Sequence, residues 1–297
     1  MPVYKSEQII PELVTKIRSA LNQLGVQYEI ILVDDGSSDC SWEVIQRMTE
    51  VHPNIIAINL MRNFGQHNAL LCGIRAAKFD TIVTMDDDLQ HPPESIELLL
   101  SKVNEGYDVV YGTPRKEKQS LLRNIASKTT KLVLQEAMGA TTARNVCSFR
   151  AFRTNLRDAF TDYRSPLVSI DVLLTWGTSS FSAVRVDYDQ RKIGKSTYTL
   201  QKLIVHALNM ITGFSTWPLQ LASLVGFGMT LLGTGVLLYV VVDFFAHGDR
   251  VRGFPFLASL FSIFAGAQLF ALGIIGEYLA RIYLRMMDQP AYVMRNI

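Results

Sequence analysis

Apolar residues in the first part of the chain alternate between strand-like runs and helical spacing. Runs rich in β-branched and aromatic residues predict strands at residues 28–33, 54–60, 81–85 and 107–111. Helical spacing predicts helices at residues 9–24, 41–48, 66–77 and 93–104. This alternation is typical of an α/β domain with a mostly parallel, Rossmann-like sheet and helices on both faces.

Two of the predicted strands end in acidic clusters. Asp34 and Asp35 open the sequence Asp-Asp-Gly-Ser-Ser-Asp after the first strand, and Asp86-Asp87-Asp88 follows the third. Open α/β sheets bind ligands at the carboxyl ends of their strands. We therefore expect the two clusters to lie side by side at one edge of the sheet.

The three adjacent acids indicate a metal site. Neighbouring carboxylates repel one another unless a cation lies among them, and hard oxygen ligands suit Mg²⁺ or Mn²⁺ on a phosphate substrate. The alternative is a helix N-terminus, where Pro93 would take the first helical position and acids are favoured. That alternative accounts for one acid well and for three poorly.

Basic and apolar residues interleave in two later stretches. We predict amphipathic helices in a membrane interface at residues 115–137 and 198–218, with an ordinary surface helix as the alternative for the first. A basic loop with a glycine, residues 190–198, precedes the second stretch.

Two long apolar stretches predict a transmembrane hairpin, residues 219–242 and 254–276. Each exceeds the roughly 20 residues that a spanning helix needs, and mean hydropathy is +0.17. The connecting loop holds only two basic residues, whereas the flanks hold more, so both termini, including a tail at 277–297, are predicted to be cytoplasmic. A buried hairpin in a soluble protein is the weaker alternative. The spans carry no internal charge, which argues against a channel or transporter.

Composition narrows the function classes further. The net charge of the 297 residues is +2, which gives no sign of a nucleic-acid partner. The three cysteines are scattered without metal-ligand spacing, as in a reducing compartment. The sequence contains no GxxxxGK, G-x-S-x-G or H-E-x-x-H motif.

The acidic motifs and the two-span hairpin resemble the family 2 glycosyltransferases of the GT-A fold, and more closely the polyprenyl-phosphate glycosyltransferases. Residues 34–39 resemble the nucleotide-binding element of that family. Residues 86–93, Asp-Asp-Asp-Leu-Gln-His-Pro-Pro, resemble its metal motif. The resemblance covers essentially the whole chain, with a catalytic domain at 1–197, and implies a bacterial inner-membrane enzyme.

The resemblance also implies roles for individual residues. The implied metal ligands are Asp86, Asp88 and Gln90, while Asp87 stands where the family commonly has Ala. The implied nucleotide contacts are Pro2, Tyr4, Asp34, Asp35 and Arg115. The implied acceptor-phosphate loop contributes Arg191, Gly194, Lys195 and Ser196, and catalysis would depend most on Asp86, Asp88 and Arg191.

Three departures from the family pattern stand out. The family has a complete strand before its Pro-x-Tyr, whereas this chain begins there, so we hypothesise an upstream start or an impaired product. The Asn of the family's Pro-x-Tyr-Asn-Glu is replaced by Lys5. Arg144 stands where an acid is often found, and Thr197 stands in place of a lysine.

The implied reaction is inverting transfer of one sugar from a nucleotide-sugar, with a UDP-sugar favoured, to undecaprenyl phosphate. A lipid phosphate with its second pKa near 6 needs little help from a general base. The alternatives are a processive polysaccharide synthase and an inactive membrane scaffold. The synthases carry Gln-x-x-Arg-Trp, but no tryptophan follows an arginine here. The sugar stays open, and two spans per chain would suit a homo-oligomer.

Overall fold

The structure, a computed structural model, describes residues 1–115, 145–189, 212, 215–247 and 253–295. The predicted interfacial helix beyond Arg115 lies outside the described residues, as does nearly all of the second one. The same holds for Arg144 and for the acceptor loop with Arg191, Lys195 and Ser196. The chain divides into two units, Met1–Val205 with Asp288–Ile297, and His206–Met287.

The strands of the first unit pair in two groups. The first group is parallel, in the order β1 (Pro2–Val3), β2 (Ile30–Asp34) and β3 (Ile55–Asn59). The second group has the order β4 (Thr81–Thr84), β6 (Arg150–Arg153), β5 (Val109–Pro114) and β7 (Phe181–Val186). Within it β5 and β7 are parallel, and β6 runs antiparallel to both of its neighbours.

Helices cover both faces of these strands, as the sequence predicted. They are α1 (Ile10–Leu24), α2 (Ser41–Val51), α3 (Gln66–Ala76), α4 (Ile96–Asn104) and α5 (Ile170–Gly177), with 3₁₀ turns at Pro93–Ser95 and Thr154–Phe160. Apolar side chains of α1, α2 and α4 form one buried cluster with the strands, and those of α3 and α5 form another. The layered arrangement leaves the carboxyl ends of β1, β2 and β4 to carry the polar residues of the site.

The chain begins with a short edge strand. β1 has two residues, Pro2 and Val3, which pair with β2. Ser6 does not cap α1 through its side chain; its carbonyl accepts the amides of Ile9 and Ile10, and its hydroxyl binds Asp87. β1 pairs with β2, and the loop after β1 binds Asp87. The start of the chain therefore connects the two acidic clusters.

The second unit contains two long apolar helices, α6 (Trp217–His247) and α7 (Phe254–Met286). Both are long and apolar enough to cross a membrane, with spans at Trp217–Ala246 and Ile263–Met286. Pro218 lies in the first turn of α6, where no amide hydrogen is needed. The helices pack closely, since a Cβ atom on Gly233 would lie 2.9 Å from the ring of Phe264.

The region predicted as a cytoplasmic tail, 277–297, begins as the last part of α7. That helix continues to Met286. The chain then turns at Asp288, whose φ is 48°, and the following residues pack on the first unit. Leu60 and Met294 form an antiparallel bridge, and Ala291 is buried.

Candidate active site

Asp86 stands directly after β4 and is held by two side chains from other elements. Its carboxylate oxygens accept hydrogen bonds from the side-chain amide of Gln66 at 2.6 Å and from the hydroxyl of Ser148 at 2.7 Å. Burial raises the pKa of Asp86 to about 6, and the charges of Asp88 and Asp87 act in the same direction. The carboxylate is therefore fixed in place, in surroundings that favour a nearby cation.

Asp87 faces the loop that follows β1. One of its oxygens accepts the amide of Tyr4 at 3.2 Å and the hydroxyl of Ser6 at 2.5 Å. These two bonds connect the chain after β4 with the loop after β1. β1 itself pairs with β2. The two acidic clusters thus lie at one edge, with the β1 loop joining them.

Gln90 is tied to the end of β7. Its side-chain oxygen accepts the phenol of Tyr188 at 2.7 Å, and its carbonyl accepts the amide of Asp189 at 2.8 Å. Its own amide donates to Asp88 at 3.2 Å. These bonds hold the backbone of Gln90 against Asp88 and Asp189 and its side chain against Tyr188, and Asp189 is the last residue before the predicted acceptor loop.

His91 packs beneath this part of the motif. Its ring stacks on Phe149 at 5.0 Å and meets the edge of Tyr188 at 5.1 Å, while its Nε2 lies 3.6 Å from the sulfur of Cys147. Burial lowers the pKa of His91 to about 4, so the ring is neutral at physiological pH. His91 therefore acts as a packing residue that supports Gln90.

The two carboxylates of the cluster after β2 have different hydrogen-bond partners. Asp35 is buried, and its two oxygens accept the amides of Phe64 at 2.7 Å and Gly65 at 2.9 Å. Asp34 is also buried and accepts the amide of Ser37, but its other oxygen has no partner among the described residues. Burial raises the pKa of both groups. Asp34 thus keeps one buried oxygen without a described partner, whereas Asp35 holds the neighbouring loop.

The remaining predicted nucleotide residues lie in three places. Pro2 is buried in β1, and Tyr4 is 46% exposed at the loop that contacts Asp87. Arg115 stands at the end of β5, exposed, with its guanidinium 3.5 Å from Asp187. Tyr4 is therefore accessible to a ligand at the sheet edge. Arg115 lies beside Asp187, and the next residue, Tyr188, donates a hydrogen bond to Gln90.

A buried ionic network lies behind the acidic motif. Arg150 of β6 is 1% exposed and forms an ion pair with Asp171 of α5, which also accepts the phenol of Tyr111 at 3.1 Å. Arg150 donates to the hydroxyl of Thr84 at 3.1 Å, and Thr84 donates to the carbonyl of Ser148 at 2.7 Å. The network therefore reaches the residue that holds Asp86.

The predicted metal ligands fit a hard divalent cation in their chemistry. Asp86, Asp88 and Gln90 offer two carboxylates and an amide oxygen, the donor types that Mg²⁺ and Mn²⁺ prefer. Burial is the main cause of the raised pKa of Asp86, and the negative charges of Asp88 and Asp87 add to it. Within residues 1–115, 145–189 and the described C-terminal part, no three His, Cys, Asp or Glu side chains form a ready metal cluster. The proposed set consists of two carboxylates and the amide oxygen of Gln90.

Comparison with known sequences identifies the family. Residues 1–163 match the family described as Glycosyl transferase family 2, which is more than half of the chain. The chain belongs to glycosyl transferase family 2. It is an enzyme that transfers a glycosyl group, as the sequence predicted.

Curated relatives of this family 2 transferase match it from end to end. The undecaprenyl-phosphate 4-deoxy-4-formamido-L-arabinose transferase of Yersinia enterocolitica is 37% identical, covering 100% of this chain and 92% of that protein. The protein of the same name from Pseudomonas syringae is 36% identical, covering 100% and 89%. The predicted resemblance to the polyprenyl-phosphate type is confirmed.

Solved structures confirm the GT-A-type fold. Mannosyl-3-phosphoglycerate synthase from Rubrobacter xylanophilus aligns with a TM-score of 0.54 at 15% identity, covering 71% of each chain. Glucosyl-3-phosphoglycerate synthase from Mycobacterium tuberculosis, solved with Mn²⁺, UDP-glucose and phosphoglyceric acid, aligns with a TM-score of 0.52 at 16% identity. That alignment covers 71% of this chain and 75% of the synthase.

Several residues around the transferase site were not found from the sequence. They are Gln66, Ser148, Arg150, Asp171 and Tyr188. Each lies far along the chain from the residue that it holds; Tyr188 and Gln90, for example, are separated by 98 positions. The only sequence signal was the polar character of single residues beside apolar runs.

Proposed function

We propose that this transferase moves a single sugar, with inversion, from a nucleotide-sugar to undecaprenyl phosphate at the cytoplasmic face of a bacterial membrane. The observation that carries the proposal is the similarity to the undecaprenyl-phosphate transferases, which runs through both the acidic site and the two apolar helices. The cytoplasmic orientation follows from the basic flanks of the spans.

The donor side of the proposed site is built at the carboxyl ends of β1, β2 and β4. Asp34, with its unused oxygen, and the exposed ring of Tyr4 would contact the nucleotide. Asp86, Asp88 and Gln90 would hold a divalent cation beside its diphosphate. When bound, that cation would neutralise the charge of the leaving diphosphate. A UDP-sugar is the donor we favour.

The acceptor side requires positive charge more than a base. A lipid phosphate is mostly dianionic at neutral pH, so its oxygen needs no carboxylate to remove a proton. Arg115, Arg191 and Lys195 would attract the phosphate, and Ser196 would donate a hydrogen bond to it. The two spans would attach the enzyme to the membrane that contains its acceptor.

The relatives suggest which sugar to test first. Their names specify 4-deoxy-4-formamido-L-arabinose, and we propose that sugar, or one of similar deoxy-amino type, as the transferred group. The full-length chain in detergent would be incubated with undecaprenyl phosphate, Mg²⁺ or Mn²⁺, and a panel of nucleotide-sugars. Mass spectrometry would identify the lipid product, and NMR its anomeric configuration.

The outcomes of this assay separate the alternatives. A lipid carrying one sugar of inverted configuration is the expected product. A lengthening glycan would instead indicate a processive synthase. No product with any donor, together with no cation-dependent binding of a nucleoside diphosphate, would indicate an inactive scaffold and refute the proposal.

A further inference from the structure

Residues 291–295, here called the C-terminal strap, pair through an isolated antiparallel bridge with the chain at the end of β3. The amide of Met61 donates to the carbonyl of Val293 at 2.9 Å, and the amide of Arg295 donates to the carbonyl of Asn59 at 2.8 Å. These two bonds flank the antiparallel bridge between Leu60 and Met294. The strap therefore pairs with the chain where β3 ends and the next loop begins.

The strap is anchored by side chains as well as by its backbone. Ala291 is 4% exposed, and the ring of Tyr292 packs against the clusters that contain Leu70 and Leu71 of α3 and Leu60. The guanidinium of Arg75 lies 5.7 Å from the centre of that ring. The strap is thus part of the packed unit and not a loose end.

The strap pairs with the beginning of residues 60–65, and the end of the same segment donates hydrogen bonds to Asp35. Leu60 donates its amide to the carbonyl of Asp34 at 2.9 Å, and Phe64 and Gly65 donate theirs to the carboxylate of Asp35. Gly36 also touches this segment closely, since a Cβ atom there would lie 2.5 Å from the carbonyl carbon of Arg62. The loop at 34–37 and the segment at 60–65 are therefore packed against each other.

The middle of this segment has little burial of its own. Met61, Arg62 and Asn63 are all exposed, so apolar packing contributes little to holding them. The bond from Met61 to Val293 is consequently one of the few contacts that fix the segment on the side away from Asp34. Without it, the backbone of the segment would be held at its two ends only, by the bond of Leu60 to Asp34 and by the bonds of Asn68 to the carbonyls of Phe64 and Gly65.

We infer that the C-terminal strap is a positioning element of the donor site, which fixes residues 60–65 and through them the Asp34–Asp35 loop. The inference rests on the proposed function in one respect, namely that this loop binds the nucleotide. The strap itself touches no substrate. Its contribution is to the affinity for the nucleotide, and therefore to the donor KM more than to kcat.

A pair of substitutions at Arg295 tests the backbone bond. Arg295→Pro removes the amide that donates to Asn59, and Arg295→Ala removes the same exposed side chain but keeps the amide. Tyr292→Ala, which removes the half-buried ring, provides a second variant. The full-length chains would be compared by amide hydrogen exchange without ligand and by calorimetric titration with UDP and Mg²⁺.

We expect Arg295→Pro and Tyr292→Ala to lose protection at the amides of Met61, Phe64 and Gly65, with the α1 amides unchanged. The dissociation constant for UDP should rise about fivefold to tenfold, the factor equivalent to about one net hydrogen bond, while Arg295→Ala stays at the parent value. Unchanged α1 amides would show that the unit is still folded.

Two outcomes would overturn the inference. One is that Met61, Phe64 and Gly65 stay protected in both variants. The other is that they lose protection while UDP binds as tightly as to Arg295→Ala. Failure of the parent chain to bind UDP would instead contradict the proposed function, and the exchange data would still decide whether the strap holds the Asp35 loop.

Discussion

The phenol of Tyr188 donates a 2.7 Å hydrogen bond to the side-chain oxygen of Gln90. This bond fixes the orientation of an amide that would otherwise rotate freely. It leaves the second lone pair of the oxygen for another partner, such as a cation. Tyr188 thus supports a proposed metal ligand in the way that outer partners of metal sites commonly do.

Tyr188→Phe should therefore weaken the response to metal without unfolding the protein. We expect the Mg²⁺ or Mn²⁺ concentration for half-maximal transfer to rise about tenfold, as is typical when an outer-shell partner is lost. Tyr107→Phe, at another partly exposed tyrosine, provides the matched control. An unchanged metal requirement would show that Gln90 is not a ligand or does not depend on this bond.

Removal of a proposed ligand should have a much larger effect. Asp88→Ala should lower transfer by at least about a hundredfold, because the charge of the leaving diphosphate would lose its stabilisation. The variant should still fold and stay in the membrane fraction. Asp162→Ala, at an exposed aspartate of the same unit, should retain activity. Near-normal turnover of Asp88→Ala would refute the metal assignment.

Glycine is required at position 36 for two reasons. Its φ is +64°, and a Cβ atom would lie within 2.8 Å of three backbone atoms of Arg62 and Asn63. Gly36→Ala should cost about 3 kcal/mol of unfolding free energy and weaken UDP binding, because backbone atoms cannot move aside.

Gly25→Ala separates strain from crowding. Gly25 has a similar φ of +66°, but nothing lies within 4 Å of its Cβ position. It should therefore lose only about 1 kcal/mol, with UDP binding unchanged. Equal losses for the two variants in urea unfolding would contradict the close approach at Gly36.

The buried arginine of β6 should matter for stability more than its exposed neighbour. Arg150→Met leaves Asp171 buried without its cation and should lower the free energy of unfolding by about 3–5 kcal/mol. Arg153→Met on the same strand removes a half-exposed pair with Asp108, at 3.3 Å, and a bond to the carbonyl of Val103, and should cost about 1 kcal/mol. Thermal or urea unfolding would measure both, and similar losses would mean that the Arg150 network is not what stabilises this face.

The sequence was sufficient for the elements that depend on local periodicity. Helix α1 begins within one residue of the predicted start and ends at Leu24, where Gly25 takes up the left-handed conformation. The metal motif could be proposed because Asp86, Asp88 and Gln90 lie within five consecutive positions at the end of an apolar run.

Features that depend on distant partners could not be found in this way. Arg150 belongs to a mixed basic and apolar stretch that resembles a surface, and its burial depends on Asp171, Thr84 and Tyr111, which lie on three other elements. The strap has too few residues to show a period, and its partner Leu60 lies more than 200 positions away. Chain segments of this length acquire a structure only from the edge on which they pack.

The raised pKa of Asp86 predicts a pH-dependent cost in the metal-free protein. The pKa is raised from 3.8 to about 6, so the folded chain holds this proton more tightly than the unfolded chain. The stabilisation of the folded state by this proton is fully present below about pH 4, and it is lost as the pH rises through about 6. Asp86→Asn has no such group to ionise.

The stability of Asp86→Asn relative to the parent should consequently increase with pH in EDTA, by up to about 2 kcal/mol between pH 4 and pH 7. His91, with its pKa lowered to about 4, changes stability in the opposite direction over the same range. It is present in both proteins, so its effect cancels in the difference. Mg²⁺ or Mn²⁺ should raise the stability of the parent more than that of the variant, because only the parent offers the ionised carboxylate. A difference between the two unfolding curves that does not vary with pH would mean that Asp86 ionises normally.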